Sequence, residues 1–179
     1  MGRTFLFMWV LYQVAMNFHP ILCCAIGEKL LIRPTWEDEY DAGGRKVLHI
    51  EPGLAFGTGS HPTTKLCLET LEKYIDENST VLDIGCGSGI LSIASLLLGA
   101  KNAFCVDIDS LAVKTAQANA LENGFDESKF KAVQGNLSYK VSGKYNVVVA
   151  KLFALFNNEY EPALFLKAFF NLKAVLSKA

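Results

Sequence analysis

Apolar positions in this chain fall into short runs separated by glycine- and asparagine-bearing turns, and from about residue 79 onward the runs alternate in type. Thr80 to Ile84, Ala103 to Ile108, Lys131 to Gln134 and Asn146 to Ala150 are brief and rich in β-branched residues, as strands are. Between them, Ile90 to Leu98 and Leu111 to Asn123 have helical length and spacing. Asp109-Ser110 supplies an N-cap for the second helix, and Asn123-Gly124 its stop. Strands alternating with helices predict a parallel sheet with crossover helices, the α/β class. Upstream, Lys29 to Arg33, ended by Pro34, and Lys46 to Ile50, after the turn-like Asp41-Ala42-Gly43-Gly44, read as two more short strands. His61-Pro62-Thr63-Thr64 leads into a helix with a stripe at Leu68, Leu71 and Ile75. The segment from Glu159 to Lys178 reads as an amphipathic helix: Pro162 in its first turn, Phe165, Phe169, Leu172 and Leu176 on one face, lysines near its end.

Composition narrows the possibilities without choosing among them. At 179 residues the chain holds one full domain, and 51% hydrophobic with 20% charged residues is a globular composition. Seventeen Lys and Arg against 18 Asp and Glu lack the basic excess of a nucleic-acid binder, so no nucleic acid is expected as a partner. Five cysteines, odd in number, scattered and without a C-x-x-C pair, predict no metal site and a reducing, cytoplasmic compartment. The apolar run Phe5 to Met16 after Arg3, followed by Cys23-Cys24-Ala25, loosely imitates a targeting signal but is too short to span a bilayer, so no membrane association is expected.

The chemistry concentrates in Val81-Leu82-Asp83-Ile84-Gly85-Cys86-Gly87-Ser88-Gly89, a glycine turn between a buried strand and a helix. Gly85 and Gly87 let a nucleoside approach the backbone, and Gly89 lets the helix start tight against the strand. Asp107 ends the next strand, 22 residues beyond Gly85, where a carboxylate can hydrogen-bond a ribose. The dinucleotide fingerprint is G-x-G-x-x-G, and here the third glycine comes one residue early. Asp83 in front of the loop would favour the amino group of a methionine moiety and repel a pyrophosphate. S-adenosylmethionine therefore fits better than a nicotinamide dinucleotide.

A second motif, Glu51-Pro52-Gly53-Leu54-Ala55-Phe56-Gly57-Thr58-Gly59-Ser60-His61-Pro62-Thr63-Thr64, taken with Asp83 to Gly89 and Val106-Asp107-Ile108-Asp109, resembles the PrmA-type ribosomal protein methyltransferases from about Gly27 to Ala150. The resemblance implies a Rossmann-like class I methyltransferase fold, mostly parallel with helices on both faces. It further implies S-adenosylmethionine as cofactor and transfer of methyl groups to lysine or N-terminal amines of a ribosomal protein. It places Thr64, Gly85 and Asp107 around the cofactor, with Phe56, Gly57 and Thr58 in a loop over its methionine end; Asp83, Gly87, Gly89 and Ile108 complete the expected cofactor-binding set. Residues 28–179 then form the methyltransferase domain. Residues 1–27 form an atypical segment where the family has a recognition domain, and the family's final antiparallel strand pair is not expected. The exposed sheet edge this leaves predicts marginal solubility or a covering partner. Lys151 stands where the family has Asn. That departure keeps open a non-catalytic domain that binds cofactor or partner, beside a methyltransferase of another acceptor.

Overall fold

The computed structural model describes residues 24–35, 41–51, 62–135 and 145–150. Among the described residues, seven strands and three helices follow in chain order: β1 Cys24–Ile26, β2 Leu30–Pro34, β3 Lys46–Ile50, α1 Pro62–Tyr74, β4 Thr80–Ile84, α2 Ile90–Leu98, β5 Asn102–Asp107, α3 Ser110–Glu122, β6 Phe130–Gln134 and β7 Val147–Ala150. The apolar run Phe5 to Met16, the loop holding Phe56, Gly57, Thr58 and His61, Lys151, and the helix expected over Glu159 to Lys178 lie outside the described residues.

Four strands make a wholly parallel sheet in the order β6-β5-β4-β7. Its centre, β4, is buried on both faces. Val81 and Asp83 look one way and Leu82 and Ile84 the other, all within 3% of full burial. A strand covered on both sides needs a nearly continuous apolar run, which is how residues 80–84 read. The two crossovers β4-α2-β5 and β5-α3-β6 carry their helices onto the face of Val81, Ala103, Cys105 and Ala132. There Ile90, Ile93, Ala94, Val113, Ala116 and Ala120 complete the core. This is the parallel sheet with crossover helices that the alternation foretold, in the Rossmann-like class I arrangement that the resemblance implied.

The upstream strands do not join this sheet. They form a separate three-stranded sheet, β1-β2-β3, with β1 antiparallel and β3 parallel to β2. Ile26, Leu30, Ile32, Leu48 and Ile50 from it share one core with Leu68 and Leu71 of α1 and the inner face of α2. The helices are thus sandwiched between two sheets. At three residues, β1 is too short for periodicity to reveal, and it lies ahead of Gly27 in the stretch that the sequence set apart.

One carboxylate fastens the small sheet to α1. Glu72 accepts from the backbone N–H groups of Glu28, Lys29 and Leu30 at 2.9–3.1 Å, gathering the β1–β2 turn onto the helix. Gly27 in that turn has φ +50°, and a Cβ there would sit 2.3 Å from Glu72 Oε2, so the position admits only glycine without rearrangement. The free edge of β3 is closed in another way. Asn123, the C-cap of α3, accepts from His49 N–H at 2.9 Å and donates to His49 C=O at 2.7 Å, standing in for a neighbouring strand.

Candidate functional site

Strand order places the site. β5 and β6 lie on one side of β4 and β7 on the other, so the order reverses at the carboxyl end of β4, where open parallel sheets bind ligands. The loop Gly85 to Gly89 leaves β4 at that point. Gly85, Gly87 and Gly89 all have positive φ, between 55° and 79°, which makes the turn tight enough to fold back onto β5. Gly85 N–H and Cys86 N–H both reach Val106 C=O, at 2.8 and 3.4 Å.

Asp107 ends β5 beside this loop. Its Oδ2 accepts from Gly87 N–H at 2.9 Å and its Oδ1 from Asp109 N–H at 3.0 Å. The second bond turns the chain out of the strand, so β5 stops at Asp107 and Ile108 lies past it, whereas the sequence pattern extended the strand through Ile108. A carboxylate can accept about four hydrogen bonds, so Asp107 keeps capacity for two hydroxyls. Ile108 beside it is 76% exposed, an uncovered apolar surface next to the acid. Asp109 caps α3 by accepting from Leu111 N–H at 2.9 Å, as its position in the sequence foretold.

Beneath the loop lies a buried polar cluster. Asp83, 1% exposed, accepts from Ser92 Oγ at 2.8 Å, and Cys105 Sγ lies 3.0 Å from the same hydroxyl. Burial, with Cys86 and Asp83 close by, pushes the Cys105 thiol well above its ordinary pKa, which makes it an unreactive packing residue. Ser92, on the first turn of α2, escaped the sequence reading because a serine within an apolar helix pattern carries no signal.

Gly89 has a packing role. A Cβ there would lie 3.0 Å from Ala116 Cβ and 3.4 Å from Phe130 Cζ, so the third glycine lets α2 begin against α3 and β6. Thr64 is fully buried in the first turn of α1. The structure therefore brings together Gly85, Gly87, Gly89, Asp107 and Ile108 at the carboxyl end of β4 and β5, with Asp83 directly below. Phe56, Gly57 and Thr58 belong to residues 52–61, outside the described residues. A groove of about 330 Å³ lined by Thr80, Asn102, Phe104, Lys129, Lys131 and Tyr145 sits at the opposite, amino end of the strands, away from the switch point.

Residues 9–163 match the family profile of the ribosomal protein L11 methyltransferases (PrmA). The chain belongs to this family. Among curated members, the ribosomal protein L11 methyltransferase of Bacillus pumilus is 44% identical over 138 residues, 76% of this chain and 43% of its own length. That of Alkaliphilus oremlandii is 50% identical over 129 residues, 72% of this chain and 41% of its own. The chain thus spans about two fifths of the length of the curated relatives it matches. A crystal structure of ribosomal protein L11 methylase from Lactobacillus delbrueckii subsp. bulgaricus superposes with a TM-score of 0.65 at 35% identity, over 72% of this chain and 65% of that one. The L11 methyltransferase family profile reaches back to residue 9, ahead of β1. Among the described residues, no helix is long and apolar enough to cross a membrane.

Proposed function

We propose that this chain carries the S-adenosylmethionine site of a protein N-methyltransferase whose acceptor is a lysine or N-terminal amine of a ribosomal protein. The observation that carries the reading is Asp107, tied to Gly87 N–H at the switch point with acceptor capacity to spare. In this reading Asp107 takes the ribose hydroxyls and exposed Ile108 packs on the purine. Gly85 and Gly87 pass beneath the nucleoside, and Asp83 supports the loop from below. Three acids, Asp83, Asp107 and Asp109, at the carboxyl ends of β4 and β5 suit a ligand bearing ammonium and sulfonium charges and oppose a pyrophosphate. Phe56, Gly57, Thr58 and Thr64 complete the set proposed to contact the ligand. When bound, the cofactor supplies an electrophilic methyl group on sulfur. The protein's share is alignment: residues that fix the nucleoside set the line along which an amine approaches. An acceptor lysine has an ordinary pKa of about 10.4, and a water-poor approach disfavours its charged form, so no dedicated base is needed. Membership of the L11 methyltransferase family, with its match over residues 9–163, supports this choice of acceptor.

Calorimetric titration of the purified chain with S-adenosylmethionine, with Asp107→Ala in parallel, tests the cofactor half of the proposal. Saturable binding that the variant abolishes is expected. A folded wild-type chain that shows no saturable binding would refute it. Methyl transfer to ribosomal protein L11, followed by mass spectrometry, tests the acceptor half, with a mass increase on the protein as the expected result and an unchanged mass as the refuting one.

A further inference from the structure

The glycine loop is held from two sides, and only one of them belongs to the strand end described above. On the other side stands Asn119, in the last turns of α3 and 2% exposed. Its Nδ2 donates to Ser88 C=O at 3.0 Å, and its Oδ1 accepts from Glu51 N–H at 3.1 Å. Ser88 follows Gly87, whose N–H is held by Asp107, so two successive residues of the loop are each anchored by one side chain. Glu51 directly follows β3 and leads into the glycine-rich segment 52–61. One buried amide therefore ties the loop at the proposed cofactor site to the strand that feeds the second motif.

We infer that Asn119 is a positioning residue for the cofactor site, acting through the Ser88 carbonyl to hold the glycine loop in its binding shape. The inference rests on the cofactor reading above. A loop with glycine at three of five positions has many backbone states, and each state frozen on binding weakens affinity, so an anchor that freezes them beforehand strengthens it. Only a side chain with both a donor and an acceptor serves Ser88 and Glu51 together: leucine of similar size serves neither, and an aspartate only Glu51. Asn123, one turn later, is the natural control, because it holds His49 of the same strand and makes no hydrogen bond to the loop.

The test is the dissociation constant for S-adenosylmethionine of wild type, Asn119→Leu, Asn119→Asp and Asn123→Ala, each measured by calorimetry at a temperature where unfolding curves show the variant folded. Both Asn119 variants are expected to bind about tenfold more weakly than wild type, the scale of one buried hydrogen bond, and Asn123→Ala within twofold of it despite lowered stability. Relative to wild type at the same pH, Asn119→Asp is expected to regain affinity on acidification, because a protonated carboxyl can donate to Ser88. A merely structural role would move unfolding midpoints and leave these affinities alone. Should Asn119→Leu not fold, Asn119→Asp and its pH response decide. Binding within twofold of wild type by a folded Asn119 variant overturns the inference while leaving the cofactor reading intact. A wild-type chain that does not bind overturns both.

Discussion

Gly89→Ala separates a glycine kept for packing from one kept for a ligand. At φ +79° an alanine sits in the left-handed region, which costs an L-residue about 1–2 kcal/mol. Its Cβ would also lie 3.0 Å from Ala116 Cβ and 3.2 Å from Ala116 Cα, both on the buried face of α3, so relief requires α2 and α3 to part. Overpacking of this kind costs about 1–3 kcal/mol. The expected loss is thus about 2–5 kcal/mol, a large part of the roughly 5–15 kcal/mol that holds a domain folded. Urea unfolding followed by circular dichroism measures it. The two parts come apart in a double-mutant cycle with Ala116→Gly. Removing the opposing methyl relieves the clash and leaves the backbone penalty, so the double variant should be more stable than the sum of the single losses by about 1 kcal/mol. A Gly89→Ala loss below about 0.5 kcal/mol, or strict additivity in the cycle, would refute the packing account and return Gly89 to the ligand.

Two further predictions concern parts of the molecule away from the glycine loop. Glu72→Ala releases three backbone donors of the β1–β2 turn and should lower stability by about 2 kcal/mol, discounted for the partial exposure of the turn; a thermal midpoint equal to wild type would show that the small sheet does not depend on this clasp. His49 is held below its ordinary pKa of 6.5, first by burial and then by Arg33, with Glu122 opposing. The unfolded chain therefore binds this proton more readily than the folded one, so stability present above pH 6.5 falls as pH drops below that value toward the folded pKa. Wild type should lose more stability than His49→Gln between pH 7 and 5 in denaturant titrations, and parallel curves would count against the assignment.

Much of the site was legible because its signals are local. A left-handed turn between a buried strand and a helix calls for glycine, and Asp107 ends the following strand at the spacing that a β-α-β unit imposes. The cap at Asp109 is a bond between a side chain and an N–H two residues on, so its position in the chain was enough to foretell it. Ile108 was placed on the strand, since sequence pattern does not register the bond from Asp109 N–H to Asp107 Oδ1 that ends β5 early.

The chain by itself thus determined the β-α-β alternation, the parallel sheet and the glycine loop facing an acid, because each depends on residues near one another in sequence. Tertiary structure alone decided the rest. That the upstream strands form their own sheet over the helices depends on β1, three residues long, and on Glu72, more than forty positions from the turn it gathers. That Gly89 answers to packing depends on Ala116 and Phe130. That Asn119 reaches both Ser88 and Glu51 depends on contacts spanning 31 and 68 residues. An asparagine inside a helix pattern looks like a solvated position until folding buries it against two backbone groups from other elements, and a buried polar group is stable only where such partners meet it.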